Sequence, residues 1–313
     1  MSLLIDTLTI VLPVFLVIAL GQLLTQLRLF DASFVQQTNR LVYIVFLPLL
    51  LFHKIGKADF ATFFNGPLVI ASSLVIVTGF LLTYFYTGLR NYPAPKRGSF
   101  CQGSFRGNLA YVGLAICLNA YGDEGLTRGG ILMGFLVPVL NLFAIFALLL
   151  PYRSNADEKQ PNWLAQVAFN PLIIASFLGI IWSYWHLPLP VIIDRALNIT
   201  TGITLPMALL AIGGSFSMER IKGDLRIAGL ATMIKLTFLP IFAAILLSLF
   251  KVRGIDFGIG ILMAGTPTAT ATYIMAHQLK GDAELAGSIV MLSTLCSAIS
   301  YTIILFILKG VGL

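Results

Sequence analysis

Charge is what this sequence has least of. Asp, Glu, Lys and Arg make up 11% of its 313 residues, against roughly 25% in average soluble proteins. Hydrophobic residues make up 58%, and the mean hydropathy is +0.92. That balance excludes a soluble enzyme, a disordered tail and a nucleic-acid-binding module. Cysteine is also scarce. Cys101, Cys117 and Cys296 are far apart and form neither a disulfide framework nor a metal-ligand spacing; they read as small buried hydrophobes. No His/Asp/Glu cluster and no Gly-x-Ser-x-Gly is present, so nothing suggests an enzyme, a cofactor or a metal. No Asp or Glu falls deep within an apolar run, which removes a carboxylate-based sodium site. Sodium held by carbonyls and hydroxyls alone stays open.

What is present is apolar length. A helix that crosses the hydrocarbon core needs about 20 mostly apolar residues. Residues 7–27, 60–89, 129–152, 160–193, 196–218, 257–279 and 285–308 carry no charge. Three further candidates are 34–53, interrupted by Arg40; 107–122, which is short; and 227–250, interrupted by Lys235. The expectation is an all-α membrane protein of ten helices. With ten spans both termini share a side. The loops on that side hold seven Lys and Arg and the opposite loops hold twelve, Arg106 among them, with Lys235 inside a span as the twentieth. Positive charge accumulates on the cytoplasmic side, so both termini are expected outside. The net charge of +7 is thus a matter of topology.

The chain also matches itself. At an offset of 158, Pro13 meets Pro171, Gly21 meets Gly179, Leu47-Pro48 meets Leu205-Pro206 and Gly56 meets Gly214; one residue further on, Gly122-Asp123 meets Gly281-Asp282. The halves are residues 1–155 and 163–313, joined by a polar cytoplasmic linker at 156–162. Five helices per half is odd, so the second half enters from the opposite face. Such inverted repeats are typical of secondary transporters, whose sites form where helices break at matching positions.

The fourth span of each half carries the break signals. One reads Arg106-Gly107-Asn108, the other Gly265-Thr266-Pro267-Thr268. Proline removes an amide donor, and Gly and Asn tolerate non-helical dihedrals. Helices 4 and 9 are therefore expected to unwind at one depth with their broken points facing. Exposed backbone N–H groups at half-helix N-termini suit an anion such as a carboxylate. Asn108 and the hydroxyls of Thr266, Thr268 and Thr270 are expected to add donors, and Asn141 in the fifth span to line the cavity. Lys235 is the one charge well inside a span, by default a functional position, as substrate counter-charge or coupling group. Pro48 and Pro206 are expected to be kinks or hinges, and His53 and His277 to sit at the interface.

These residues carry a resemblance. The segments Asn39-Arg40-Leu41-Val42-Tyr43, Leu47-Pro48-Leu49-Leu50-Leu51-Phe52, Arg106-Gly107-Asn108-Leu109-Ala110-Tyr111-Val112-Gly113, Lys235-Leu236 with Pro240, and Ala264-Gly265-Thr266-Pro267 resemble the auxin efflux carrier family, which includes bacterial carriers of malate and related acids. The resemblance spans essentially the whole chain. It implies ten helices in two inverted halves, with a scaffold from helices 1, 2, 6 and 7. A transport domain of helices 3–5 and 8–10, where helices 4 and 9 cross, moves as an elevator and carries an organic anion. It implies a homodimer and a substrate contact at Asn108. Helix 9 departs from the plant pattern, with Thr266 and Thr268 around Pro267 instead of Asn, so auxin itself is in doubt as the substrate. The short linker fits a bacterial member, hence an inner-membrane location. Coupling to protons or sodium, the latter as in bile-acid symporters, and a sensor built on this fold are the alternatives.

The charge bias has a direct check. An alkaline phosphatase fused after Leu313 is expected to be active and a green fluorescent protein at the same point dark; the reverse pattern places the C-terminus in the cytoplasm.

Overall fold

The computed structural model describes residues 2–152, 169–216 and 224–312. The expected linker at 156–162 lies outside them, as do Arg153, Lys159, Arg220 and Lys222 from the loop count. Among the described residues the fold is all-α, and its one strand-like feature is an isolated antiparallel bridge between Gly107 and Thr268. The helices are α1 (Ser2–Gln26), α2 (Ala32–Leu41), α3 (Leu47–Lys57), α4 (Phe60–Phe63), α5 (Gly66–Leu89), α6 (Ala94–Phe105) and α7 (Leu114–Leu149). They continue with α8 (Pro171–Tyr184), α9 (Val191–Gly202), α10 (Thr204–Gly214), α11 (Leu225–Met233), α12 (Leu239–Leu249), α13 (Gly254–Ala264), α14 (Ala271–Gln278) and α15 (Ala283–Gly310).

Among the described residues seven helical stretches are long and apolar enough to cross a membrane, and Pro171–Tyr184 and Gly254–Ala264 are shorter apolar helices. The difference from ten has local causes. The 44-residue stretch Leu109–Tyr152 bends at Gly122, whose φ of 63° and ψ of −153° are open to glycine alone. The expected ninth span is divided between α13 and α14. Capping follows the sequence: the side chains of Asp31, Asn170, Asp224 and Asp282 accept backbone N–H bonds at the starts of α2, α8, α11 and α15.

The chain divides into two compact units, Met1–Gly66 with Ala110–Val137 and Ala168–Phe216, and Pro67–Leu109 with Pro138–Val167 and Ser217–Leu313. In the first, α1 packs on α10 through reciprocal glycines. A Cβ on Gly21 would lie 2.2 Å from the Leu210 carbonyl oxygen, and one on Gly213 would lie 1.9 Å from that of Ile18. Small residues at such contacts let backbones approach closely enough for dispersion to hold helices together in lipid. Pro48 follows a π-helical turn, Val42–Phe46, in which the Leu47 amide reaches back five residues to Val42. The ring of Pro48 crowds the carbonyl four residues earlier, and the wide turn relieves it. Pro206 is the third residue of α10, just past the interruption at Ile203.

His53 is buried within the protein, 3% exposed, and its Nε2 lies 2.7 Å from Asp194 Oδ1. Lys57 donates to the same carboxylate at 2.8 and 3.0 Å.

The second unit has a core of Phe100, Ala228, Ala231, Leu285 and Ile289, joining α6, α11 and α15. A second π-helical turn, Ile234–Phe238, precedes Pro240 in the same relation as the turn before Pro48, with the Leu239 amide on the Ile234 carbonyl.

Gly213→Val places a branched side chain where a backbone oxygen sits. It is expected to destabilise the protein by at least about 1–3 kcal/mol, the usual scale of overpacking, read as a lowered melting temperature in detergent. An unchanged melting temperature contradicts the α1–α10 contact.

Candidate functional site

The site is built where two helices of the second unit stop and restart. α6 runs from Ala94 to Phe105, and Gly98–Phe105 is buried throughout. The chain is extended over Arg106–Asn108, then resumes as a π-helical turn at Leu109–Gly113. This corrects the expected span at 107–122. The helix looked short because its first half lies upstream of Arg106, in the charge-free run 98–105. Arg106 is accordingly not a cytoplasmic loop residue: it is 9% exposed, at the break itself. Without it the loop bias keeps its direction.

The second break has a different chemistry. α13 ends at Ala264, and the Gly265 amide closes it on Ile261 at 2.9 Å. The Thr266 hydroxyl then donates to the Met263 carbonyl at 2.9 Å. Pro267 has no amide to continue the helix, and α14 begins at Ala271. Both released strands satisfy each other. The Asn108 amide donates to the Pro267 carbonyl at 2.8 Å, and the Ala269 amide donates to the Arg106 carbonyl at 2.9 Å. Irregular backbone at membrane depth is tolerated only when paired or lining a cavity, and this two-rung ladder supplies the pairing.

The side chains tighten the crossing. Thr268 is fully buried; its hydroxyl donates to the Gly103 carbonyl at 2.8 Å and its amide to Ser293 Oγ at 3.0 Å. The hydroxyl hydrogens of Thr266 and Thr268 are therefore engaged on carbonyls, where the sequence suggested donors for a ligand. Gly107 is required by close approach: a Cβ there would lie 2.0 Å from Thr266 Oγ1 and 3.3 Å from Lys235 Nζ.

Lys235 thus reaches the crossing. It sits in the π-helical turn before Pro240, 1% exposed, and its ammonium donates to the Ala264 carbonyl at 2.5 Å. A cation at the C-terminal end of α13 is favourably placed in the helix dipole. Among the described residues it forms no ion pair. Arg106 is the second cation, and its Nη2 donates to Asn141 Oδ1 at 2.8 Å and its Nη1 approaches Met275 Sδ at 2.8 Å. Asn141 joins the crossing through that bond. Gln102, fully buried, donates from Nε2 to the Thr272 carbonyl at 3.0 Å. Asn108 is 7% exposed. Pro48 and Pro206 belong to the first unit and take no part in this constellation. Sequence reasoning missed Arg106 and Gln102. The charge-free residues on both sides of Arg106 were the available signal.

Comparison with known proteins agrees with this picture. The model of the membrane transport protein family matches residues 6–163 and 160–305, and the chain belongs to that family, the one that includes the auxin efflux carriers. An uncharacterized transporter of Methanothermobacter thermautotrophicus is 24% identical over 93% of this chain and 94% of its own. A protein of Rhizobium meliloti provisionally named a malonate transporter is 23% identical over 96% of this chain and 95% of its own. Auxin efflux carrier component 6 of Arabidopsis thaliana is 25% identical over 45% of this chain and 26% of its own. The protein is a membrane transporter and not an enzyme.

Gly107→Ala is expected to disrupt the crossing and reduce folded yield. Thr266→Ala removes the nearest obstructing atom and should restore part of the loss, with a coupling of about 0.5–3 kcal/mol in the double-mutant cycle. Additive effects of the two changes contradict direct contact.

Proposed function

We propose that this transporter is a secondary carrier of small organic anions, with the crossing of the two broken helices as its binding site. The observation that carries the reading is the placement of a buried ammonium, Lys235, beside Gly107 at the point where both helices are unwound. The N-terminal end of α14 opens at that point, and half-helix N-termini favour a carboxylate. Arg106 and the side-chain amide of Asn108 add donors of the right kind. The relative provisionally named a malonate transporter supports the same class of substrate. On this reading Asn108, Gly107, Pro267 and the flanking Thr266 and Thr268 shape the pocket, Lys235 supplies counter-charge, and Asn141 holds Arg106 in place.

The reading includes ten membrane passes in two inverted halves. It is supported by broken helices in corresponding spans and by backbone interruptions just before both Pro48 and Pro206. It also includes an elevator-type motion in which the unit holding the crossing carries the anion, an assembly as a homodimer, and a place in the bacterial inner membrane with both termini outside.

Purified protein in proteoliposomes is expected to take up at least one acid from a panel of labelled carboxylates, malonate, malate and indole-3-acetate included, with saturation. Imposed proton or sodium gradients then report the coupling. Flux that rises linearly with concentration argues for a channel. Asn108→Ala is expected to weaken apparent affinity by at least about tenfold, the loss of one charge-assisted hydrogen bond, with normal folding. Unchanged affinity removes Asn108 from the site.

A further inference from the structure

We infer that the carrier selects acids that bear a hydroxyl group beside the carboxylate, and that Gln102 and Thr272 read that hydroxyl. The inference rests on the crossing being the anion site and names what else the substrate carries. Its own ground is a pair of buried oxygen atoms next to the crossing.

Gln102 and Arg106 are four residues apart at the end of α6, where the Arg106 amide donates to the Gln102 carbonyl at 2.9 Å. Side chains at that spacing share a helix face. Thr272 and Met275, three apart on α14, share one likewise. The two faces meet twice. Gln102 Nε2 donates to the Thr272 carbonyl at 3.0 Å, and Arg106 Nη1 approaches Met275 Sδ at 2.8 Å. These four residues frame one place within the second unit.

Two atoms in that frame have no hydrogen-bond partner among the described residues, Gln102 Oε1 and Thr272 Oγ1. Both residues are fully buried, and buried polar atoms are seldom left unmatched. The bond from Nε2 holds the Gln102 amide in place, so Oε1 is a fixed acceptor. An amide oxygen only accepts, whereas a threonine hydroxyl donates and accepts. An alcohol matches that pair. Its O–H donates to Gln102 Oε1, and its oxygen accepts from the Thr272 hydroxyl. A carboxylate does not match, because it brings no proton to Oε1. The place for a carboxylate is at Arg106, one turn on, where the thioether of Met275 is a weak acceptor that an anion outcompetes. The frame therefore fits a carboxylate and a hydroxyl close together in one molecule, as in 2- and 3-hydroxy acids. An acid without the hydroxyl leaves Oε1 desolvated and unpaired. That is the situation in which a buried polar group discriminates most strongly.

The test measures uptake into proteoliposomes for pairs of labelled acids that differ only in the hydroxyl: lactate and propionate, malate and succinate, tartronate and malonate. In a pair that is carried, the hydroxy acid is expected to show at least about tenfold the apparent affinity of its counterpart, the loss that an unpaired buried acceptor causes. Thr272→Val keeps the shape and removes the hydroxyl; Gln102→Met keeps the length and removes the amide. Each is expected to lower the ratio to within about threefold of one, chiefly by weakening the hydroxy acid. A merely structural role would weaken both acids alike. If Gln102→Met does not fold, Thr272→Val decides. Equal affinity within every pair in the natural protein, or a preference for the plain acid, overturns the inference and leaves the two oxygens to ordered water. So does a preference that survives the variants, because the hydroxyl is then read elsewhere. These results leave the anion-carrier reading standing. If no acid of these pairs or of the wider panel enters, that reading fails, and this inference with it.

Discussion

Two backbone hydrogen bonds, Asn108 to Pro267 and Ala269 to Arg106, are the constraint from which the rest of the second unit follows. A helix that stops inside a membrane leaves amides and carbonyls that lipid cannot satisfy. Here each broken segment supplies the partners of the other, so neither break is stable alone. The ladder fixes how near the two chains come, and that distance dictates glycine at 107. It also fixes where the carbonyl end of α13 points, and hence where Lys235 can donate. Thr266 and Thr268 serve the same end, closing helix termini with their own hydroxyls and leaving the neighbouring cations to define the site's electrostatics.

The two units hold together by different means. In the first, Gly21 and Gly213 bring α1 and α10 into backbone contact, and ion pairs join side chains on facing helices, as between His53, Lys57 and Asp194. In the second, polar atoms are handled mostly through carbonyls: Thr268 on Gly103, Gln102 on Thr272, Lys235 on Ala264. Lipid offers no hydrophobic drive for helix association, so close packing and internal hydrogen bonds carry that load.

How much of this could be read beforehand depended on whether the signal was local. Both backbone breaks were legible because Pro267, Gly107 and Asn108 alter dihedral preference at their own positions. The family was legible from the run Arg106–Gly113. Arg106 was not, because a charge between apolar runs reads as a loop boundary until the helix upstream is known to be buried. The hydroxyls of Thr266 and Thr268 stood out as polar, but their acceptors, Met263 and Gly103, depend on how the chain ends and crosses. The burial of His53 beside Lys54 was not legible, because its partner Asp194 arrives 141 residues later. Pro48 announced a disturbance, while the form it takes, a widened turn, is a response of the whole helix.

That widened turn has a second consequence where it recurs. One extra residue per turn shifts the angular phase of everything on its N-terminal side by about 100°, the rotation per residue of an α-helix. Pro240 lies five positions beyond Lys235, at the C-terminal edge of the π-helical turn. Its ring packs beside Gly265, 3.5 Å from where a Cβ on that glycine would stand, and the turn it imposes decides which way the lysine faces. Pro240 is in this sense an aiming device, and the heading of the one ammonium in the crossing is encoded by a residue without charge or side-chain hydrogen bonds.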